Sequence, residues 1–308
     1  TFVTEFGEFE VTTLRVDVEC DGRHAEVEFT TSWEADAARR DFTINAMMMN
    51  IHGNVFDFFG GKEDLEAGIM RFVGEAHDRI NEDALRILRF FRITHKTGCE
   101  LLPQKDLMAC ADNVTLLHDI SIERVWDEFK KVCKDSPDKV GNFLLDMAAI
   151  QAHRVLHLPL EDPAVISTIT EHVSKFPTFA IGTQLTTVDI ASQFADHWKL
   201  SNVERSELTF FVANKDKEHT PQNIQDFIMD GVDKEWLEAL VDFQQDEDLH
   251  DYIHVVDFFP FPVTGKDLMQ VGFEQGILLG QELEKLKKVW KDSRYVLTKE
   301  QLLNRYTI

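Results

Sequence analysis

The sequence predicts an α+β protein in which a mixed β-sheet segment is followed by a much longer helical assembly. Polar and apolar residues alternate with a period of two from Phe9 to about Val73. After Gly74 the apolar spacing changes to three and four, which is typical of amphipathic helices. Prolines lie mostly between the helical blocks, where they can end a helix without breaking one. These three observations favour the α+β class.

The sheet segment is predicted from period-two runs separated by turn residues. Asp21-Gly22 and His52-Gly53 are turn signals, and an alternating run lies on each side of both. The predicted strands are, in chain order, Glu10 to Val18, His24 to Thr30, Ile44 to Ile51 and Asn54 to Phe59. We therefore expect two hairpins within a mixed sheet.

The helical part is predicted in several blocks. These are Asp78 to Lys96, Ser121 to Val132, Lys139 to Ile150, a block at 164–212, and a final stretch from Thr264 to Asn304. Together with the sheet segment they predict a sheet-containing part up to about residue 73 and a longer helical part after it. The residues give no indication of an oligomeric state.

The charge balance excludes several classes of partner. The chain has 32 Lys and Arg against 55 Asp and Glu, a formal net charge of -23. Such an acidic chain is poorly suited to coating nucleic acid or an anionic membrane surface, because its own field repels phosphates. No apolar run approaches the roughly 20 residues that a membrane-spanning helix needs. We therefore expect neither DNA nor a membrane as a partner.

A dense group of polar residues stands at Arg39-Arg40-Asp41-Phe42-Thr43-Ile44-Asn45. Its two guanidinium groups match phosphate oxygens, and its carboxylate and amide can hydrogen-bond ribose hydroxyls. The group could therefore hold a polyphosphate and a ribose together. The alternative is a surface Arg-Asp pair in which Asp41 caps a turn, and surface pairs of this kind contribute little energy.

A second group begins at Glu82 and runs along the first predicted helix. Arg86, Arg89, Arg92 and Lys96 fall within about a third of its circumference at 100° per residue. No acidic residue lies between position 83 and position 100. The pattern predicts a local positive face in an otherwise acidic chain.

Asp83 and Arg86 are i,i+3 neighbours on this predicted helix. A carboxylate can accept from the exocyclic amine of cytosine or adenine, while a guanidinium donates to the adjacent ring nitrogen or carbonyl. Uracil and guanine present the opposite polarity. The pair could therefore select between bases, and the alternative is an ordinary intrahelical salt bridge on an amphipathic helix.

Several segments resemble, in order and spacing, the motifs of class II tRNA nucleotidyltransferases, the CCA-adding enzymes. They are Glu10-Val11-Thr12-Thr13-Leu14-Arg15, Asp21-Gly22-Arg23-His24, Arg40-Asp41-Phe42-Thr43-Ile44-Asn45, Asp57-Phe58-Phe59-Gly60-Gly61-Lys62-Glu63-Asp64-Leu65, Glu82-Asp83-Ala84-Leu85-Arg86-Ile87-Leu88-Arg89, Ile120-Ser121-Ile122-Glu123-Arg124-Val125-Trp126 and Pro262-Val263-Thr264-Gly265-Lys266-Asp267-Leu268. Asp17 to Thr30 looks most similar to the animal, mitochondrial type. The resemblance covers most of the chain and is strong up to about residue 132.

The resemblance implies an enzyme that adds C, C and A to tRNA 3′ ends from CTP and ATP with Mg²⁺ and without a nucleic-acid template. It also implies a nucleotidyltransferase head followed by an all-α neck, body and tail that hold the tRNA acceptor stem and elbow. The resemblance thus implies four domains: the head at 1–73, the neck at 74–134, the body at 135–215 and the tail at 216–308. A mitochondrial location is implied by the animal type, with the cytoplasm or nucleus as further possibilities.

Residue roles are also implied by the resemblance, motif by motif. Asp83 and Arg86 would read the incoming base, and Glu82 would hold their helix. The phosphates or the base would contact Arg40, Arg89 and Arg92, whereas Asp41 and Asn45 would position the ribose. Arg23 would lie in or beside a flexible loop linked to A addition. Glu10 would be a carboxylate of the catalytic site.

One part of the family pattern is missing. The family's head begins with a Gly-Gly-x-x-x-Arg turn followed by a D-x-D pair that binds two metal ions, and this combination does not precede Glu10. We therefore expect no metal-binding residues in this chain and a head that lacks its first catalytic strands. Two alternatives to CCA addition stay open: a bacterial-type poly(A) polymerase, and a catalytically inactive RNA-binding protein on the same scaffold.

Overall fold

A computed structural model describes residues 1–20, 25–160, 163–304 and 306 of the chain. The protein divides into two compact units, Thr1–Lys215 and Asp216–Ile308. The finer division into four domains stays a prediction. No helix in the described ranges has the length and apolar character that crossing a membrane would require.

The first unit begins with three two-stranded antiparallel sheets. The strands are β1 Phe2–Thr4, β2 Gly7–Phe9, β3 Arg15–Cys20, β4 Ala25–Phe29, β5 Met48–Met49 and β6 Val55–Phe56, and they pair in the order β1-β2, β3-β4 and β5-β6. The predicted hairpin around Asp21-Gly22 is present as β3-β4, although its turn lies outside the described residues. Its first strand begins at Arg15, so the prediction of a strand from Glu10 was wrong by five positions.

The prediction of a strand from Ile44 to Ile51 was also wrong. Thr43–Asn45 forms a single turn of 3-10 helix, and only Met48–Met49 of this run is extended. The Thr43 hydroxyl donates to Asp64 at 2.7 Å, and the Thr43 amide donates to the Arg71 carbonyl at 3.0 Å. These contacts to residues far along the chain override the local alternation, and they place Asn45 one turn after Asp41.

The remaining regular structure in the described residues up to 215 is helical. They are α1 Trp33–Ala38, α2 Gly61–Ala67, α3 Ala76–Glu82, α4 Leu85–Thr97, α5 Gln104–Asp112, α6 Ile122–Asp135, α7 Val140–Ala149, α8 Ala152–Val155, α9 Pro163–Ile166, α10 Glu171–Ser174, α11 Pro177–Gly182, α12 Val188–His197 and α13 Asn202–Asn214. Two further 3-10 helices are Val114–Asp119 and Pro137–Lys139. The helices predicted near α6 and α7 are confirmed to within a few residues.

The regular secondary structure in the described residues of the second unit is all helical. Its helices are α14 Pro221–Met229, α15 Lys234–Phe243, α16 Glu247–Val255, α17 Gly265–Gln270, α18 Ile277–Asp292 and α19 Lys299–Leu303. The final predicted stretch, Thr264 to Asn304, is thus three helices. The longest is α18, which buries Leu286 and Trp290.

The helix predicted from Asp78 to Lys96 is two helices, because the backbone is extended at Asp83 with φ -156° and ψ 104°. The Asp83 carboxylate accepts a hydrogen bond from the Leu85 amide at 3.1 Å. An Asp side chain that bonds the backbone two residues later competes with the helix and starts a new turn. Asp83 therefore stands at the break, at the start of α4.

An aromatic core joins the sheet segment to α4. The rings of Phe42 and Phe72 lie 5.0 Å apart, and the Phe72 and Phe90 rings stack at 5.2 Å; all three side chains are fully buried. Offset stacking of buried rings adds to the energy of their burial. Phe42 directly follows Asp41 and Phe90 directly follows Arg89, so the core fixes the distance between two of the predicted site residues.

Candidate functional site

A pocket of about 470 Å³ opens between the start of α4, the start of α6 and the loop that follows α1. The residues that line it are Arg39, Arg40, Asp41, Asn45, Asp83, Leu85, Arg86, Arg89 and Arg124. Five of these nine side chains are guanidiniums and two are carboxylates. The pocket thus concentrates positive charge in a chain with a net charge of -23.

Asp41 forms the floor of the pocket. Its carboxylate accepts from the Arg89 guanidinium at 2.8 and 2.5 Å, from the Asn45 amide at 3.1 Å and from the Phe42 backbone at 2.9 Å. Burial by itself raises the pKa of Asp41, but the Arg89 charge and these hydrogen bonds outweigh it and hold the pKa below its usual range. The carboxylate is therefore ionised at neutral pH.

Arg89 and Asp41 are thus partners rather than independent groups. The pair is partly buried, with 31% of the Arg89 side chain and 8% of the Asp41 side chain exposed. The Asn45 side chain bonds the same carboxylate, so a carboxylate, an amide and a guanidinium form one hydrogen-bonded cluster. The alternative of a simple surface Arg-Asp pair at residues 39–45 does not describe this arrangement, since Asp41 is buried.

Asp83 and Arg86 both face the pocket, and each is held by a different partner. The second oxygen of Asp83 accepts from Arg124 of α6 at 2.7 Å. The Arg86 guanidinium donates to Glu82 at 2.6 Å and to the carbonyls of Arg79 at 2.8 Å and Arg39 at 3.2 Å. An acceptor and a donor fork are therefore presented side by side in fixed orientations.

Glu82 lies behind the pocket and does not line it. Its carboxylate bonds Arg79 and Arg86, both at 2.6 Å. Arg79 also donates to the carbonyls of Arg39 and Arg40. Glu82 and Arg79 together therefore tie the break between α3 and α4 to the loop after α1.

The structure does not bring Arg92 to the pocket. Its guanidinium donates to Glu128 at 2.7 Å, and only 7% and 2% of the two side chains are exposed. Lys96 pairs with Asp135 at 2.8 Å. The predicted local positive face is therefore only partly formed, because Arg86 and Arg89 line the pocket whereas Arg92 and Lys96 do not. Arg86, Arg89, Arg92 and Lys96 are each paired with a carboxylate, from Glu82, Asp41, Glu128 and Asp135, respectively.

Of the two remaining predicted site residues, the structure describes only Glu10. Glu10 is exposed in the segment between β2 and β3 and is not among the lining residues. Arg23 lies outside the described residues. Arg124 lines the pocket, although the sequence prediction gave it no role. It stands in a segment that resembles a family motif, but the spacing of residues along one helix cannot indicate a partner on another helix.

The chain is similar to a known family over its first part and to named proteins over nearly its whole length. Residues 1–71 match the family model described as the Poly A polymerase head domain. The mitochondrial CCA tRNA nucleotidyltransferase 1 of Mus musculus is 35% identical over 315 residues, which cover 96% of this chain and 71% of that protein. The Homo sapiens protein of the same name is 35% identical over 314 residues with the same coverage.

A solved structure supports the same fold. The Bacillus stearothermophilus CCA-adding enzyme in complex with CTP superposes with a TM-score of 0.72 over 98% of this chain and 80% of that one, at 24% identity. The fold class is thus confirmed as that of a nucleotidyltransferase with an α+β head and helical remainder. With the sequence relatives, this means that the chain belongs to the CCA tRNA nucleotidyltransferase family.

Proposed function

We propose that the pocket binds CTP or ATP and that the protein joins the nucleotide to the 3′ end of tRNA, without a nucleic-acid template. The observation that carries the proposal is the placement of Asp83 and Arg86 side by side in a pocket lined by further arginines. Nucleotidyl transfer is the activity named for the relatives that match nearly the whole chain. The reaction forms a bond from the tRNA 3′ oxygen to the α-phosphorus and releases pyrophosphate.

Base selection is assigned to Asp83 and Arg86. Cytosine and adenine each offer an amine hydrogen next to a ring acceptor, and the carboxylate and guanidinium match that order. Three of the five Arg86 N–H groups are used in the bonds to Glu82 and the two carbonyls, so the base is proposed to take one of the others. Fixed partners favour selectivity, because a guanidinium that is already oriented loses little freedom on binding.

The phosphates and the ribose are assigned to the other side of the pocket. Arg40 is the most exposed of the arginines there, with 42% of its side chain accessible, and Arg39 lies beside it. Guanidinium forks match phosphate oxygens, which makes these two residues and Arg89 suitable for a triphosphate. Asp41 and Asn45 are proposed to contact the ribose hydroxyls.

No step of the proposal is assigned to a metal ion. The resemblance implies Mg²⁺, yet within residues 1–20, 25–160, 163–304 and 306 no group of three or more His, Cys, Asp or Glu side chains could hold a metal. The residues of the pocket therefore account for binding and orientation of the nucleotide. They do not form the carboxylate set that divalent metal ions of transferases need.

The proposed macromolecular substrate is tRNA, contacted at its acceptor stem and elbow. One relative in structure, the Thermotoga maritima CCA-adding enzyme complexed with tRNA, superposes with a TM-score of 0.58 over 95% of this chain at 16% identity. A mitochondrial location is proposed from the name of the animal relatives, which are mitochondrial proteins.

An incorporation assay tests the proposal. The protein is incubated with tRNA lacking CCA, with Mg²⁺ and with one labelled nucleotide at a time. We expect C to be added first, and A only after two C residues. Arg86→Met should abolish this order of addition. Arg154→Met removes an exposed arginine of α8 that does not line the pocket, so it is the matched control.

Other outcomes identify the alternatives. Long A tails on any RNA would indicate a poly(A) polymerase, a possibility that the match of residues 1–71 to a Poly A polymerase head domain keeps open. If the protein adds no nucleotide while a full-length relative adds CCA to the same tRNA, the proposal is wrong and the inactive RNA-binding scaffold is favoured.

A further inference from the structure

Asp36 lies behind the pocket on α1, and its side chain is among the most buried charged groups of the molecule. The residue is 0% exposed, although its carboxylate is ionisable. A buried charge is costly unless it is paired and hydrogen-bonded. We therefore expect the contacts of Asp36 to offset the cost of burying its charge.

Two of the contacts are with arginines that line the pocket. One oxygen of Asp36 accepts from Arg39 Nε at 2.8 Å, and the other accepts from Arg40 at 3.0 Å. The side chain of Arg39 is 20% exposed and that of Arg40 is 42% exposed, so both reach from a buried anchor to the open pocket. A single carboxylate thus holds two adjacent guanidiniums.

A third contact joins the same carboxylate to the sheet segment. The backbone amide of Arg15, the first residue of β3, donates to Asp36 at 3.2 Å. Burial raises the pKa of Asp36, but the bonds from Arg39, Arg40 and the Arg15 amide outweigh it and lower the pKa. Asp36 is therefore a carboxylate at neutral pH, and it links β3 to two residues that line the pocket.

We propose that Asp36 is a positioning residue for nucleotide binding, which acts by holding Arg39 and Arg40 toward the phosphates. The proposal rests on the function proposed above. Without the carboxylate, two neighbouring guanidiniums would repel each other and sample several orientations. A phosphate would then have to order both side chains on binding, which weakens affinity. Since phosphates are common to all nucleotides, the loss should not depend on the base.

Binding measurements on Asp36→Asn test this role. Dissociation constants are measured by calorimetry for CTP, for UTP, for ATP and for inorganic tripolyphosphate, with the wild-type chain alongside. Charge-assisted hydrogen bonds are about twice as strong as neutral ones, so we expect each dissociation constant to rise by about tenfold. The ratio between CTP and UTP affinity should stay within about twofold of the wild-type value.

Asp64→Asn is the matched control. Asp64 is also buried, at 6% exposure, and its carboxylate pairs with Arg71 and accepts from Thr43. Arg71 does not line the pocket. We therefore expect Asp64→Asn to lower the melting temperature without the shared loss of nucleotide and tripolyphosphate affinity. An equal loss in both variants would overturn the positioning role of Asp36, as would an unchanged affinity in Asp36→Asn.

A measurement on the wild-type protein covers the case in which Asp36→Asn does not fold. With ¹⁵N-arginine labelling, the Arg39 Nε–H signal should be protected from exchange and should shift when tripolyphosphate is added. A signal that does not move at saturation would overturn the proposal. If the wild-type chain binds no nucleotide in any of these experiments, the proposed function fails and this inference fails with it.

Discussion

Replacement of Asp83 by asparagine should relax base selection without removing nucleotide binding. Asp83 presents two oxygens, of which one accepts from the Leu85 amide at 3.1 Å and the other from Arg124 at 2.7 Å. An ionised carboxylate has about four acceptor sites, so two remain for the amine of cytosine or adenine. Asparagine keeps the shape but replaces one oxygen by a donor, which repels that amine and suits the carbonyl of uracil.

The magnitude follows from the number of bonds that change. A well-placed bidentate contact discriminates between bases by about 1–3 kcal/mol. With a tenfold change for each 1.36 kcal/mol, the CTP-to-UTP affinity ratio should fall by about 5- to 150-fold in Asp83→Asn. The affinity for the triphosphate portion should change little, because Arg39, Arg40 and Arg89 are untouched.

Competition binding measures this ratio directly. A fluorescent CTP analogue is displaced by each of the four nucleotides, and the four dissociation constants are compared between variants. Asp135→Asn is the matched control, since Asp135 has the same side-chain exposure of 23% and pairs with Lys96 at 2.8 Å. If Asp83→Asn binds CTP and keeps the wild-type ratio, the base-reading role is refuted.

Arg124→Gln extends the same test to a residue that does not need to contact the base. It removes the charged partner of one Asp83 oxygen and leaves the carboxylate held only by the Leu85 amide. We expect a smaller loss of the CTP-to-UTP ratio, about three- to tenfold, because the acceptor remains but its orientation is no longer fixed. A CTP-to-UTP affinity ratio that is lower in Arg124→Gln than in Asp83→Asn would contradict this order of effects.

Two further predictions concern stability. Arg92→Met leaves the carboxylate of Glu128 buried without its buried charged partner, so the free energy of unfolding should fall by about 3–5 kcal/mol in urea denaturation. Lys131→Met removes a half-exposed partner of the same carboxylate, also at 2.7 Å, and should cost under about 1 kcal/mol. Equal losses would contradict the role of burial. The pKa of Asp41 is lowered in the fold, so its ion pair with Arg89 stabilises the protein fully above about pH 4 and is lost as the pH falls below it. Thermal melts at pH 7 and pH 3 should therefore differ less in Asp41→Asn than in the wild type, and an equal difference would refute the contribution of Asp41.

The sequence predicts the helices of the first unit better than its strands, for a physical reason. Helices α6 and α7 follow from the spacing of their own apolar residues, which is a local property. The turn at Thr43–Asn45 depends on a hydrogen bond to Asp64, which is 21 positions away. Alternation within the run from Ile44 to Ile51 contains no information about that contact.

The sequence predicts which residues form the candidate site better than it predicts which partners they bond. Arg40, Asp83 and Arg86 stand in segments that resemble family motifs, and the fold brings them to one pocket. The spacing of Asp83 and Arg86 also permitted a salt bridge between them, whereas the structure pairs Asp83 with Arg124, 41 positions later. Partners this far apart in the chain are brought together by the packing of α4 against α6. The spacing of apolar residues within one helix does not predict that packing.

The burial of Arg92 shows the same limit. Its position on the helix suggested a group facing a ligand, because Arg86 and Arg89 lie on the same side. The partner that turns it into an internal ion pair, Glu128, lies on α6. Whether a charged side chain on one helix is exposed or buried can be decided only when the neighbouring helix is known.

Calorimetric titration of the wild-type chain with each of the four nucleotides tests the central claim most directly, because the claim is that one pocket reads both the phosphates and the base. CTP and ATP should bind, UTP and GTP should bind at least about tenfold more weakly, and Arg86→Met should remove the difference. Equal binding of all four nucleotides by the wild type, or a preference that survives Arg86→Met, would contradict the account.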